Sequence, residues 1–170
     1  MIIFIIVLLA VILIDQISKI IVLKTLDLSD THYLIKDFLY ITKVYNPGAG
    51  WGLGSNATWL LCLVSVIAAL AMIYFAIKYK SFLEKSYLLR IAAGLIVGGT
   101  IGNLIDRFLT VIKQRKGVVD FIGMWIGKYE WPTYNIADAA LVVGLILIAI
   151  WGIFLYGKEE NPTNDEEIHS

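Results

Sequence analysis

The sequence is poor in the residues from which most enzymes build a reactive centre. It holds one cysteine, Cys62, inside an apolar run, and two histidines, His32 and His169, far apart. A single thiol gives no disulfide framework and no thiolate cluster, and two distant imidazoles lack the spacing of a zinc or iron site. Neither GxSxG nor HExxH occurs, and the glycine-rich run "NPGAGWGLG" lacks the Lys-Ser/Thr of a phosphate loop. Serine-hydrolase, zinc-peptidase and nucleotide chemistry are therefore disfavoured, and no metal or cofactor is expected. Charge is scarce as well: 16% of the residues are charged and they cancel to zero, which speaks against a nucleic-acid partner.

What the chain has in abundance is apolar length. Of its 170 residues, 59% are hydrophobic, and the mean hydropathy is +0.78, where a soluble domain sits near half apolar. Four segments, about 1–23, 57–77, 88–109 and 134–156, approach the roughly 20 residues that cross a bilayer. The first is interrupted by Asp15, Gln16 and Lys19; without a basic leader or small-residue cleavage site it reads as a span, not a removable signal peptide. The fourth has Asp138 as its only charge. Within the 24–56 connection, "YLIKDFLYITKVY" has the β-branched and aromatic content of strand, ended by the turn-forming "NPGAGWGLG". The 110–133 connection is expected to lie along the membrane surface as a helical segment, with Trp125, Tyr129, Trp131 and Tyr134 at headgroup depth. The expected fold is an all-α membrane protein of four transmembrane helices, with a small β-sheet and that surface-lying helical segment. One domain spans 1–156, and the polar tail 157–170 reads as disordered. Basic clusters at Lys78, Lys80, Lys85 and Arg90 and at Lys113, Arg115 and Lys116 fall on opposite sides, so charge alone leaves orientation open, leaning towards both termini inside.

Topology brings the polar residues together. In four antiparallel spans, the ends of the first and third and the start of the fourth share one side. That places Asp15, Lys19, Asn103, Asp106, Arg107 and Asp138 at one depth beneath the two large connections. Such groups are costly in lipid and mark a candidate site. Asp15 and Lys19 are spaced to pair along one helical face, and Asp106 has Arg107 beside it or Lys19 within reach. Asp120 and Asp138 have no such obvious partner, although a continuing helix would bring Lys116 to Asp120. Two unpaired carboxylates meeting at a cavity share a proton, one serving as base on a water and the other as acid. Plainer readings stand beside this one. Asp138 at a helix start is also a dipole-stabilised group, Asn135 also a cap, Asp120 also a loop carboxylate, and Asp15/Lys19 a structural pair. Gly94, Gly98 and Gly102 recur every fourth residue and read as close helix packing.

In order along the chain stand "DQISK" with Asp15 and Lys19, "NPGAG" with Asn46, Gly48 and Ala49, and "GGTIGNLIDR" with Gly99, Gly102, Asn103, Asp106 and Arg107. "VVDF" with Asp120 and "NIAD" with Asn135, Ala137 and Asp138 follow. Together they resemble the lipoprotein signal peptidase (signal peptidase II) family, intramembrane aspartyl proteases of bacteria, over essentially the whole chain to about residue 156. One departure is Gly50, where the family usually has a second alanine. The resemblance implies Asp120 and Asp138 as the catalytic dyad, with Asp106 the alternate, held by Arg107 as a supporting residue. It implies positioning roles for Asn46, Asn103, Arg107 and Asn135. It also implies a multi-pass protein of the bacterial cell membrane with both termini cytoplasmic and both large loops extracytoplasmic. The partners it implies are membrane lipid and a prolipoprotein cut just before its diacylglyceryl-modified cysteine, by an enzyme expected to be monomeric, with 118–131 as a cover over the peptide. The competing reading from the residues alone is a small transporter or channel subunit, since buried charge pairs also line ion pathways. A scaffold without chemistry is the third.

Overall fold

Four apolar runs fold as helices because a backbone surrounded by hydrocarbon must satisfy its own hydrogen bonds. In the computed structural model, which describes residues 1–28, 30–48 and 58–155, α1 is Ile2–Thr25, α2 Thr58–Lys78, α4 Tyr87–Val111 and α5 Ile136–Ile150. A short α3, Lys80–Glu84, joins α2 to α4, and α5 continues as a π-helical turn through Trp151–Leu155. All four long helices have the length and hydropathy to cross a membrane. Position 50 and the tail from 157 lie outside the described residues.

Helix α4 is the hub, packing against α1, α2 and α5. Its glycines make this possible. A Cβ on Gly94 or Gly98 would stand 2.9 Å from the carbonyl oxygen of Phe4 or Leu8 in α1, and on Gly99 it would run into the Ala137 carbonyl of α5. Small residues at these positions let backbones approach where lipid supplies no hydrophobic drive between helices. Both α2 and α5 flank α4 without packing extensively on each other.

The connections build a four-stranded antiparallel sheet in chain order: β1 Thr31–Ile35, β2 Leu39–Asn46, β3 Val118–Ile126 and β4 Tyr129–Tyr134. The expected strand region is therefore strand, but the expected surface-lying helical segment at 118–131 is not helix. That stretch forms β3 and β4, pairing Val44 with Asp120 and Asn46 with Val118 on one side and Met124 with Trp131 on the other. The reason is burial on both faces. Val118, Val119, Asp120 and Phe121 are all buried, so the run shows no alternation, and an unbroken apolar run does not distinguish strand from helix. Val119 and Phe121 pack on Val22 of α1, while Val118 and Asp120 face the other way. The segment forms one wall of the main cavity, through Val118, Asp120, Met124 and Trp131.

Candidate active site

On the face opposite Val119 and Phe121, the two-residue period of the strands aligns Val44, Asn46, Val118 and Asp120 along one wall of a cavity of about 810 Å³. Asn103 and Arg107 of α4 and Asp138 and Leu141 of α5 line it too, with Gly48 just after β2 and Trp131 of β4. Its far end is formed by Val142 and Val143, which are exposed on the outer surface of α5.

Both acids that sequence reading left unpaired enter this cavity, and a chain of carboxamides joins them. Asn135 Nδ2 donates to Asp120 Oδ1 at 2.7 Å and to Asn103 Oδ1 at 3.1 Å, and Asn103 Nδ2 donates to Asp138 Oδ1 at 2.7 Å. Asn46 Nδ2 donates to the other oxygen of Asp120 at 3.1 Å. The capping reading of Asn135 also holds. Its Oδ1 accepts from the Asp138 amide while Asp138 Oδ2 accepts from the Asn135 amide, a closed capping box at the start of α5. One hydrogen-bonding unit thus both starts the helix and places Asp138. Burial and the neighbouring charge of Asp138 push the Asp120 carboxyl up to about 7, against the opposing pull of the Asn46 and Asn135 donors and the Lys19 charge.

Asp15, Lys19 and Asp106 form a separate cluster that is fully buried and does not line the cavity. Lys19 Nζ lies 2.8 Å from Asp15 and 2.9 Å from Asp106, so the expected α1 pair forms and extends to α4. Each member also anchors backbone. Asp15 Oδ1 accepts from the Ala137 amide at 3.0 Å, and Asp106 Oδ2 from the Val119 amide at 3.2 Å, one residue before Asp120. The expectation that Arg107 holds Asp106 is corrected: Asp106 pairs with Lys19 and Arg115, and Arg107 donates to Ser65 of α2 at 3.0 Å. Successive helical residues point about 100° apart, so neighbours in sequence do not face each other. Nor does Lys116 meet Asp120, because the strand at 118 replaces the helix that would have carried it there. Gly48 donates its amide to Asn46 Oδ1 at 3.0 Å. Ser65, Arg115 and Gln16, which bonds Asp15 and the Gly102 carbonyl, were not among the candidate site residues read from sequence. Arg115 read only as one of a basic cluster bearing on orientation, and neither Ser65 nor Gln16 has a spacing partner that marks it.

Four membrane-length helices beside an apolar cavity lined by Asp120 and Asp138 fit a membrane-embedded enzyme better than a conduit, since the polar groups gather towards one end of the bundle instead of crossing it. A family model for signal peptidase (SPase) II matches residues 7–154. The chain belongs to that family and is a multi-pass membrane protease that processes lipoproteins. Two solved bacterial membrane enzymes, determined by the in meso method, are similar over nearly their whole length. One, at 2.3 Å resolution, is 34% identical with a TM-score of 0.75, the match covering 95% of this chain and 90% of that one. The other, at 1.9 Å, is 35% identical with a TM-score of 0.73, covering 89% and 93%.

Proposed function

We propose that the protease is of the aspartic type and that Asp120 and Asp138 are its catalytic pair. The observation that carries this reading is their joint presence at the cavity wall, linked through Asn135 and Asn103, while Asp15 and Asp106 are sealed away on backbone and cations. Asp120 carries the shared proton. Asp138, held by Asn103 and the Asn135 amide, takes a proton from a water, whose oxygen adds to the scissile carbonyl carbon as Asp120 protonates the carbonyl oxygen. Collapse of the tetrahedral intermediate breaks the C–N bond, with a proton passing to the leaving amine. Arg107, in the cavity lining, holds the peptide backbone, and Asn46, fixed by the Gly48 amide, positions Asp120. Asp106, Lys19, Asp15, Gly99 and Ala137 support the frame.

The scissile bond in this reading precedes a diacylglyceryl-modified cysteine, with the signal helix in the apolar cavity and the acyl chains in bilayer beyond Val142 and Val143. The enzyme lies in the bacterial cytoplasmic membrane with both termini cytoplasmic, acts as a monomer without metal or nucleic acid, and is a single domain over 1–156. Asp120→Asn and Asp138→Asn are each expected to lower cleavage of a lipidated precursor by about a thousandfold or more, with Tm in detergent preserved, and chelators to leave turnover unchanged. Near wild-type turnover in either variant moves the pair elsewhere, with Asp106 next in line. Uptake of an ion or solute into liposomes without proteolysis would instead favour the transporter reading.

A further inference from the structure

A second cleft, of about 340 Å³, opens beside the C-terminal ends of α1 and α4, lined by Leu23, Tyr45, Lys113, Gln114, Arg115 and Lys116. We propose that it binds the phosphate of one anionic phospholipid, from the leaflet on the catalytic side. Its cations are built in rather than scattered. The Gln114 and Arg115 amides both bond the Leu109 carbonyl and the Lys113 amide bonds Thr110, locking the turn at the end of α4. Arg115 is only 12% exposed and is fixed to Asp106. Lys113 and Lys116 are exposed and have no side-chain acceptor among the described residues.

Complementing the C-terminal dipole of α4 is the plainer role for such charge, but that effect fades within the last turn and does not require three cations around a concave site. In the orientation proposed above, these residues also stand on the side that short-loop lysines ordinarily avoid, so they do not serve topology. A lipid fits better than a free anion because apolar surface leads away from the cleft. Leu23 forms part of its wall, and Ile20 of α1, Phe108 of α4 and Ile112 just after it are exposed apolar side chains that suit acyl chains. Arg115 connects this headgroup site, through Asp106 and Lys19, to the amide network at Asp138.

The test is native mass spectrometry of the full-length protein released from nanodiscs containing equal phosphatidylglycerol and phosphatidylcholine. Wild type is expected to retain one phosphatidylglycerol in preference, and Lys113→Gln/Lys116→Gln to lose that preference roughly tenfold or more. The pair Lys36→Gln/Lys128→Gln, the same charge change at the exposed hairpin turns, is expected to behave as wild type. Equal loss in both pairs, no headgroup selectivity in wild type, or displacement of the adduct by millimolar inorganic phosphate overturns the lipid assignment. Because binding is read directly, the result is independent of whether Asp120 and Asp138 are catalytic.

Discussion

Asn46 presents its amide nitrogen to Asp120 because its oxygen is already engaged by the Gly48 amide. Asn103 is oriented in the same way: Lys19 has only protons to give, so Asn103 turns Oδ1 towards it and must offer Nδ2 to Asp138. The chemistry of the acids is thus set by groups that do not react. Burial and the Asp138 charge raise the Asp120 carboxyl to about 7, so the proton needed by the proposed mechanism is lost as pH rises through that value. The basic limb of kcat/KM is expected there. In Asn46→Ala, loss of a donor that favours the charged form raises the carboxyl further, and the limb should move to higher pH. A pH–rate profile with a fixed or acid-shifted limb would show that Asp120 is not the proton holder. Stability follows the same sign. In the unfolded chain the carboxyl returns to about 3.8, so the folded state holds the proton more tightly. That contribution is complete below about pH 4 and is lost as pH rises through about 7. The Asp120→Asn variant should show a flatter dependence of Tm on pH over this interval.

At the scale of elements, the glycine face of α4 sets how near Asp138 comes to Asn103. Gly99→Val would drive side-chain carbon into the Ala137 carbonyl and Leu141, an overpacking expected to cost about 1–3 kcal/mol. Both Tm and kcat should fall together, whereas a lowered Tm with unchanged kcat would separate helix spacing from the chemistry. Lys19→Met tests the cluster beneath it. Removing Lys19 takes the cation from buried Asp15 and leaves Asp106 with Arg115 alone, for an expected loss of about 3–5 kcal/mol measured by unfolding in detergent. Much of this was legible beforehand, because hydrocarbon solvent permits few solutions: the spans, the strand at 39–46 and the Gly94/Gly98 packing all follow from length, β-branching and four-residue spacing. The 118–131 segment did not declare itself, since a central strand buried on both faces has lost the alternation that marks one. Arg115 was equally opaque. Its contact with Asp106 exists only because the chain leaves α4 at Val111 and reverses through Lys113, in a left-handed conformation at φ 60, which no helical spacing anticipates.

For the molecule as a whole, the cavity lined by α4, α5 and the sheet sets how a membrane-embedded substrate would reach Asp120 on β3 and Asp138 on α5. Asp120 is 2% exposed and Val142, in the same cavity lining, is 57% exposed. The cavity therefore runs from a sheltered carboxylate to the outer surface of a membrane-spanning helix. On the proposed function, a peptide arriving as a transmembrane helix need not leave the bilayer: it would enter past Val142 and Val143 of α5 and present its end to the sheet. Val142→Trp narrows that mouth without crowding the interior, because the residue projects outwards. The expected result is a KM for the lipidated precursor raised roughly tenfold, with kcat and Tm close to wild type, since ground-state access is lost and the reacting groups are untouched. Cleavage kinetics in detergent and in bilayer nanodiscs provide the measurement. If KM is unchanged in both, the substrate enters elsewhere; if kcat falls while KM holds, Val142 contacts the peptide in the transition state instead of guarding its path.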